Sequence, residues 1–158
     1  EITWRDWSSD VCSSDLRAQA GAANEEEPGL LDSVPVSLPA LMQCQKLSKR
    51  AAKAGFDWTG VADVWDQVER ERKEFEDEQR GSQAAVEEFG DILFALVNVA
   101  RWEGIDAEEA LAASNRKFRR RWAAMERRCR QEGRGMDGLS TAELNELWDA
   151  AKARERAE

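Results

Sequence analysis

Residues 87–98 read EEFGDILFALVN, and the fold of the chain depends on this stretch. The six consecutive residues 92–97 all have apolar side chains, and a helix that is apolar on every side is normally buried. The stretch opens with acids, and Glu88 and Asp91 stand one helical turn apart. A buried carboxylate is costly unless a partner offsets its charge, so these acids either lie just outside the core or hold a cation.

The composition limits the possible classes of protein. The chain has 158 residues, 35% of them charged, and a net charge of −9, so we expect one domain without general affinity for nucleic acid. We expect no membrane span, because no apolar run approaches the roughly 18 residues that a span needs, and no signal peptide, because no n-region and h-region open the chain. Three cysteines at positions 12, 44 and 129 fit neither a disulfide framework nor a zinc site, which favours a cytoplasmic location.

The absence of histidine restricts the chemistry further. It excludes serine–histidine and cysteine–histidine nucleophile pairs and the imidazole ligands of zinc and di-iron sites. A redox metal bundle is therefore disfavoured, and any catalysis must use carboxylates, lysines, arginines and what they bind.

The first 37 residues differ from the rest of the chain. Residues 1–16, EITWRDWSSDVCSSDL, include a run that resembles the in-frame translation of a sequencing-library adapter, so we expect them to be non-native and assign them no function. The alternative is a disordered tail. Residues 17–37 are rich in Ala, Gly, Glu and Pro and are predicted to be an interdomain linker. Residues 38–158 would then form the folded domain.

Apolar periodicity predicts only helices in that domain. The first three are expected at about 38–54, 61–79 and 83–102, with Ser37 capping the first helix and Gly55 ending it. A fourth begins at Asp106, and Ser140 with Glu143 predicts a capping box for a fifth. Helices joined by short turns imply an all-α antiparallel bundle. The fourth helix carries an apolar seam of Leu111, Phe118, Trp122, Met125 and Cys129.

Two helices each offer a pair of acids one turn apart. Glu71 and Glu74 lie on the second helix, and Glu88 and Asp91 on the third. Facing each other, these helices can place four carboxylates around one or two cations, and oxygen ligands without histidine indicate Mg²⁺ or Mn²⁺. The alternative for the second helix is an ordinary solvated face. A glycine inside the third helix, Gly90, would be explained by close approach of a neighbour or a ligand.

A cationic segment, NRKFRRRW, covers residues 115–122 of the fourth helix. Lys117 and Arg121 share a face beside the apolar seam, so we expect these two to turn inward while Arg116, Arg119 and Arg120 stay solvated. Such cations neutralise phosphate oxygens when a metal–polyphosphate is bound. The alternative, equally compatible with the spacing, is that they pair with the acidic second helix.

In their order and spacing, several motifs resemble the MazG family of nucleoside triphosphate pyrophosphohydrolases, and the similarity spans roughly residues 28–155. The motifs are SLPALM, KAGFDW, EEFGDILFALVNVAR, IDAEEAL, NRKFRRR and ELWDAAK. The resemblance implies an all-α NTP pyrophosphatase fold and is to the second, C-terminal domain of two-domain members. We therefore expect the chain to be a fragment.

The resemblance also implies roles for particular residues. The catalytic, Mg²⁺-binding acids would be Glu71, Glu74, Glu88 and Asp91. Nucleoside triphosphate would be contacted by Asn98, Lys117, Arg121, Trp148 and Lys152, although a tryptophan beside Leu147 is more often a core residue. Gln67 and Arg70 depart from the family pattern, where a lysine and an acid are frequent. These departures put one phosphate contact and an outer metal contact in doubt.

The resemblance implies that NTP and water are converted to NMP and pyrophosphate. It also implies a homodimer, in which Phe118, Trp122 and Met125 are candidate contacts between subunits. The rival interpretation is a helical interaction module without catalysis, whose acids and bases form structural ion pairs. Dependence on Mg²⁺ distinguishes the two.

Overall fold

The computed structural model describes residues 28–157, and across that range the chain forms five helices and no strand. The helices are α1 (Ala40–Lys53), α2 (Val61–Asp77), α3 (Gln83–Trp102), α4 (Ala107–Gln131) and α5 (Thr141–Glu155). The all-α prediction is confirmed. The assignment of residues 1–16, and that of residues 17–27 within the expected linker, lie outside the described residues.

The described residues divide into two compact units at the boundary between Ile105 and Asp106. The first contains α1, α2 and α3, and the second contains α4 and α5. The assignment of residues 38–158 to a single domain stays a prediction. Over residues 28–157, no helix combines the length and apolar character that crossing a bilayer requires.

The centre of the first unit is a hairpin of α2 and α3, which pack more extensively than any other pair of helices between residues 28 and 157. The short connection at 78–82 makes them antiparallel. Val64 and Val68 of α2 pack against Ala95 and Val99 of α3, and Trp58 covers one side of this core. β-branched and small side chains at helical spacing allow the two helices to approach closely, which brings their acidic turns together.

The third helix is not buried on every side as expected. One stripe of α3 is exposed, although its residues are apolar and follow the 3–4–3 spacing of a coiled-coil seam. Between 39% and 63% of each residue is accessible in this exposed stripe of Val86, Phe89, Leu93 and Leu96. Burial of apolar surface is the main driving force of folding, so such a stripe indicates an unsatisfied contact surface.

Residues 28–37 fold back on α1. Val34 is buried, Arg50 donates to the carbonyl oxygen of Leu30 at 3.1 Å, and Gln43 donates to that of Val36 at 2.8 Å. The prediction that Ser37 caps α1 is wrong, because the helix starts after Pro39 and no side chain caps it. Proline suits the start of a helix, because the backbone N–H that it lacks would have no partner within the helix there.

Glycines and short polar side chains end and begin the helices. Gly55 ends α1 with φ of +92°, where the amide of Phe56 bonds to the carbonyl of Ala51 at 3.0 Å, as in a Schellman motif. The predicted α5 capping box is present: the Ser140 hydroxyl accepts from the Glu143 amide, and the Glu143 carboxylate accepts from the Ser140 amide. α2 ends at Asp77, two residues before its predicted end.

In the second unit, α4 packs on α5 around Met125, Cys129 and Leu147. Met125 is only 3% exposed, so it belongs to this core and is not an available subunit contact as the sequence suggested. Phe118 and Trp122, from the same predicted seam, are exposed and their rings stack with centroids 6.1 Å apart. The seam therefore divides into a buried half and an exposed half.

A polar network fixes the C-terminal end of α3 to the loop before α2. Arg101 forms a two-pronged ion pair with Asp57, with Nη1 to Oδ2 at 3.0 Å, and its Nε donates to Asn98 Oδ1 at 3.1 Å. The amide of Trp58 donates to Asp57 Oδ1 at 2.9 Å. The planar guanidinium suits this role because it satisfies a carboxylate and an amide at once.

We predict that Arg101→Met destabilises the fold by about 3 kcal/mol, because it leaves Asp57 and the Asn98 oxygen without their charged donor in a poorly solvated place. Urea unfolding followed by far-UV circular dichroism measures the change. The matched control is Arg72→Met, which removes an exposed arginine paired with Glu69 and Glu76 and should cost at most about 1 kcal/mol. Equal losses in both variants would contradict the structural role of Arg101.

Candidate metal centre

Three of the four predicted acids converge where α2 faces α3. Oxygen atoms of Glu71, Glu88 and Asp91 lie within 4.8 Å of one another. Glu71 is buried at 9% exposure, on the side of α2 that carries the Val64–Val68 core, while Asp91 lies at the surface. The helical spacing predicted this convergence, because residues three apart in α3 face the same neighbour.

The fourth acid, Glu74, lies on an exposed part of α2 one turn beyond Glu71. It is not part of the close triad, but its charge acts on all three members. Gly90 stands between the two acids of α3, and a Cβ built there would meet no described atom within 4 Å. Close approach by a neighbour therefore does not explain this glycine among the described residues, and approach by a ligand stays a prediction.

The triad is electrostatically strained without a counter-charge. The pKa of each carboxyl in the triad is raised, first by desolvation and then by its acidic neighbours. For Glu71 the neighbours are Asp91 and Glu74; for Asp91 they are Glu74 and Glu87. Raised pKa values of this origin are the usual consequence of holding like charges together, and a bound cation would reverse them.

The donor set fits a hard divalent cation. All three groups offer carboxylate oxygens, the separation of their atoms is compatible with a shared ion, and no histidine or cysteine is among them. Mg²⁺ and Mn²⁺ prefer such oxygen ligands, commonly with water filling the remaining positions. The acid cluster is therefore a candidate site for a divalent metal ion.

Within residues 28–157, none of the four acids forms an ion pair with a lysine or an arginine. The neighbouring acids of α2 do pair, since Glu69 and Glu76 both contact Arg72. Acids of an inert interaction module would be expected to have such partners. The selective lack of partners at the triad favours a bound cation over structural ion pairs.

Sequence analysis did not predict the residues that hold Glu71. Gln67, only 7% exposed, donates from its side-chain amide to Glu71, and Arg70 donates to the oxygen of the same amide. The two positions that depart from the family pattern therefore bond to each other. Their spacings of three and four along α2 could have indicated this contact.

Asn98, two turns after Asp91 in α3, is fully buried with 0% exposure. Its side-chain nitrogen donates to the carbonyl of Phe94 at 3.0 Å, and its oxygen accepts from Arg101. Both polar ends are thus occupied by protein groups. Its direct contact with a substrate stays a prediction, and the arrangement favours a supporting role at the end of α3.

The other predicted binding residues lie in the second unit. The guanidinium of Arg121 lies 5.5 Å from the ring centre of Trp148, and its Nε donates to Glu155 at 2.7 Å. Arg120 donates to the other oxygen of the same carboxylate at 2.7 Å, which lowers the pKa of Glu155. Arg121 thus turns inward as predicted, but Lys117 remains exposed.

Trp148 contacts both the core of the second unit and an exposed aromatic ring. Its ring packs on the Met125–Leu147 core, and it also contacts the Phe118 ring with centroids 5.1 Å apart. Lys152, one turn further along α5, is partly buried. Roles for Trp148 and Lys152 in nucleotide binding stay predictions.

Residues 61–124 match the family described as the MazG nucleotide pyrophosphohydrolase domain. The chain is 43% identical over 139 residues to a nucleoside triphosphate pyrophosphohydrolase of Escherichia coli, covering 84% of the chain and 52% of that protein. It is 32% identical over 138 residues to a nucleoside triphosphate pyrophosphohydrolase/pyrophosphatase of Thermotoga maritima, covering 87% of the chain and 53% of the relative. It is also 50% identical over 138 residues to Bacillus subtilis YabN, covering 84% of the chain and 28% of that protein.

The chain thus spans about half the length of the Escherichia coli and Thermotoga maritima relatives and a smaller share of YabN. The matched range includes the whole acid cluster and the cationic segment, but it ends before α5. The resemblance inferred from the sequence motifs is confirmed.

The carboxyl pKa values of the triad are raised in the folded chain above their ordinary values. Without a metal, these groups therefore favour the folded state at low pH, and that stability is lost as the pH rises through the folded-state pKa values. We therefore predict that Glu88→Gln stabilises the chain in EDTA, by more at pH 8 than at pH 5. The reason is that a neutral amide removes the repulsion between the carboxylates. Thermal unfolding in EDTA at pH 5 and at pH 8 measures the change in stability.

Glu103→Gln is the matched control, because it removes one exposed carboxylate at the other end of α3. We expect Glu103→Gln to change the thermal stability only slightly at pH 5 and at pH 8. A Glu88→Gln variant that is no more stable than wild type at pH 8 would show that the triad is not strained.

Proposed function

Since the chain belongs to the MazG family, we propose that it hydrolyses nucleoside triphosphates to nucleoside monophosphates and pyrophosphate with the help of a divalent metal ion. The observation that carries the proposal is the carboxylate triad, unpaired across the described residues, within the matched domain. The substrates are ribo- or deoxyribonucleoside triphosphates. The names of the Escherichia coli and Thermotoga maritima relatives support the nucleotide and the reaction.

Glu71, Glu88 and Asp91 are the residues that would hold Mg²⁺, or Mn²⁺ in its place. A bound ion of this kind supplies charge neutralisation for phosphate oxygens and makes a nearby water more acidic. The protein contributes the arrangement of the ligands, since α2 and α3 are fixed by their shared core before any ligand arrives.

The exposed Glu74 is then the carboxylate that orients the attacking water and accepts its proton. It lies one turn from Glu71 and outside the close triad, so it is near the reacting groups without being needed as a ligand. Water adds to the α-phosphorus, the bond to the α–β bridging oxygen breaks, and pyrophosphate leaves. Substitution of a positioned base typically lowers rates by about 100-fold or more.

Lys117 and Arg121 would neutralise the charge that builds on the departing pyrophosphate. Trp148 would stack on the base, Lys152 would contact a phosphate, and Asn98 would support the end of α3 from below. Arg121 is already directed by Glu155 and lies against Trp148, which supports a nucleotide contact on that part of the second unit. Nucleic acid is not a proposed ligand, given the net charge of −9.

A homodimer is part of the proposal, because the exposed stripe of α3 offers apolar residues at coiled-coil spacing that a second copy could cover. Cys44 and Cys129 are free thiols, and burial raises the pKa of Cys44 to about 11. Unpaired, unreactive thiols agree with a reducing compartment, and we propose the cytoplasm.

The first experiment is an assay of pyrophosphate release by the full chain from a panel of ribo- and deoxyribonucleoside triphosphates, with Mg²⁺ and with EDTA. We expect release only with metal. Asp91→Ala should abolish it, whereas Glu74→Gln should lower turnover about 100-fold and keep Mn²⁺ binding. Glu103→Gln should behave as wild type.

Turnover in EDTA, or full activity of Asp91→Ala, would refute the proposed site. Loss of Mn²⁺ binding in Glu74→Gln would instead make Glu74 a ligand. A folded wild-type chain that releases no pyrophosphate from any substrate would favour the interaction module.

The dimer is tested by Leu93→Lys, which places a charge in the middle of the exposed stripe. We expect sedimentation to show a dimer for wild type and a monomer for the variant, because a lysine ammonium cannot be buried unpaired in an apolar contact. Val36→Lys replaces a more exposed apolar residue outside the stripe, 89% accessible against 43% for Leu93, and should leave the dimer intact. A wild-type chain that is fully active as a monomer would overturn this part of the proposal.

A further inference from the structure

A chain of hydrogen bonds runs along α2 behind the acid triad. The side-chain nitrogen of Gln67 donates to Glu71 Oε1, and Gln67 Oε1 accepts from Arg70, with Arg70 Nε at 3.1 Å and Nη2 also in contact. Gln67 and Glu71 are buried, whereas Arg70 lies at the surface. The order is therefore guanidinium, amide, carboxylate, from solvent to the candidate metal centre.

The chemistry of the two ends fixes the orientation of the amide. A carboxylate only accepts hydrogen bonds and a guanidinium only donates them, so the nitrogen of Gln67 must face Glu71 and its oxygen must face Arg70. With Arg70 absent, the oxygen would have no donor in this chain of bonds. The amide could then rotate by half a turn and present oxygen to the carboxylate, which is repulsive.

Glu71 depends on that amide more than its neighbours in the triad do. It is the buried member, and the Gln67 amide is the one hydrogen-bond donor that reaches its carboxylate among residues 28–157. A carboxylate with one oxygen held by an amide has its other oxygen and its torsion angle fixed for an ion. Hydrogen bonds of this kind to ligating groups commonly change metal affinity by about 10–100-fold when removed.

We propose that Arg70 is a positioning residue of the metal centre and acts through Gln67, whose amide it locks in the orientation that holds Glu71 ready to bind the cation. This inference rests on the proposed function, because it presumes that the triad binds a divalent metal. It assigns a role to a surface arginine whose guanidinium contacts the Gln67 amide and not the triad carboxylates. The predicted coupling runs from Arg70 to Gln67 to Glu71, in that order.

The test is a double-mutant cycle read by Mn²⁺ affinity, measured by titration calorimetry on the full chain at constant pH and salt. Arg70→Met and Gln67→Met each remove one group while keeping an unbranched apolar chain. We expect each to weaken Mn²⁺ binding about 10-fold. We expect the double variant to bind as weakly as Gln67→Met alone, since Arg70 can have no effect once the amide is gone.

Two further variants separate orientation from charge. Arg70→Lys keeps the charge but loses the two-pronged contact, so its affinity should fall between those of wild type and Arg70→Met. Arg72→Met removes a cation of the same helix that pairs with Glu69 and Glu76, and it should bind Mn²⁺ as wild type does. Far-UV circular dichroism and thermal unfolding in EDTA establish that each variant is folded.

The outcomes separate this inference from the proposed function. If wild type binds no Mn²⁺, the metal centre itself is refuted, and the role of Arg70 with it. If wild type binds and the two single effects add in the double variant, Arg70 does not act through Gln67 and the inference is overturned alone. Unchanged affinity in Arg70→Met overturns it as well. Should Gln67→Met fail to fold, Arg70→Met alone decides, because loss of a nearby positive charge would by itself strengthen Mn²⁺ binding, whereas loss of the orienting contact weakens it.

Discussion

The acid cluster depends on the contact between α2 and α3. Carboxylates repel one another, and each of the three in the triad has a raised pKa as a result of desolvation and that repulsion. They are held together because Val64 and Val68 pack on Ala95 and Val99 in the same hairpin. The free energy of that apolar contact offsets the electrostatic cost. Weakening the contact would let the acidic turns separate.

Other parts of the first unit keep α3 in place against this repulsion. At its C-terminal end, Arg101 links Asp57 to Asn98, and Gln45 of α1 donates to the carbonyl of Ile105 at 2.7 Å. At its start, the Ser82 hydroxyl accepts from the amide of Ala85 at 3.0 Å. Both ends of the helix are therefore fixed by polar contacts, while its middle is fixed by packing. The acids of α3, Glu88 and Asp91, lie between these two kinds of support.

Local signals in the sequence predicted much of this. The bounds of α3, the capping box at Ser140 and the convergence of the acids all follow from spacings of three and four residues, which a helix converts directly into neighbours. Contacts between distant segments have no such signal. The ion pair of Asp57 with Arg101 joins residues 44 positions apart, and the burial of Asn98 and Met125 depends on how helices pack. Nor does periodicity say which side of an apolar helix stays exposed, as the stripe of α3 shows.

Arg72 and Arg70 on α2 contact their polar neighbours in different ways. Arg72 neutralises Glu69 and Glu76 directly, which is the ordinary way for acids and bases on one helix to stabilise each other. Arg70 is the immediate neighbour of Glu71 in sequence, yet its guanidinium contacts the Gln67 amide and not the Glu71 carboxylate. A direct ion pair would satisfy Glu71 and compete with a cation for it. An intervening amide can instead orient the carboxylate while leaving its charge available, and this is the arrangement that R-E at 70–71 with glutamine at 67 produces.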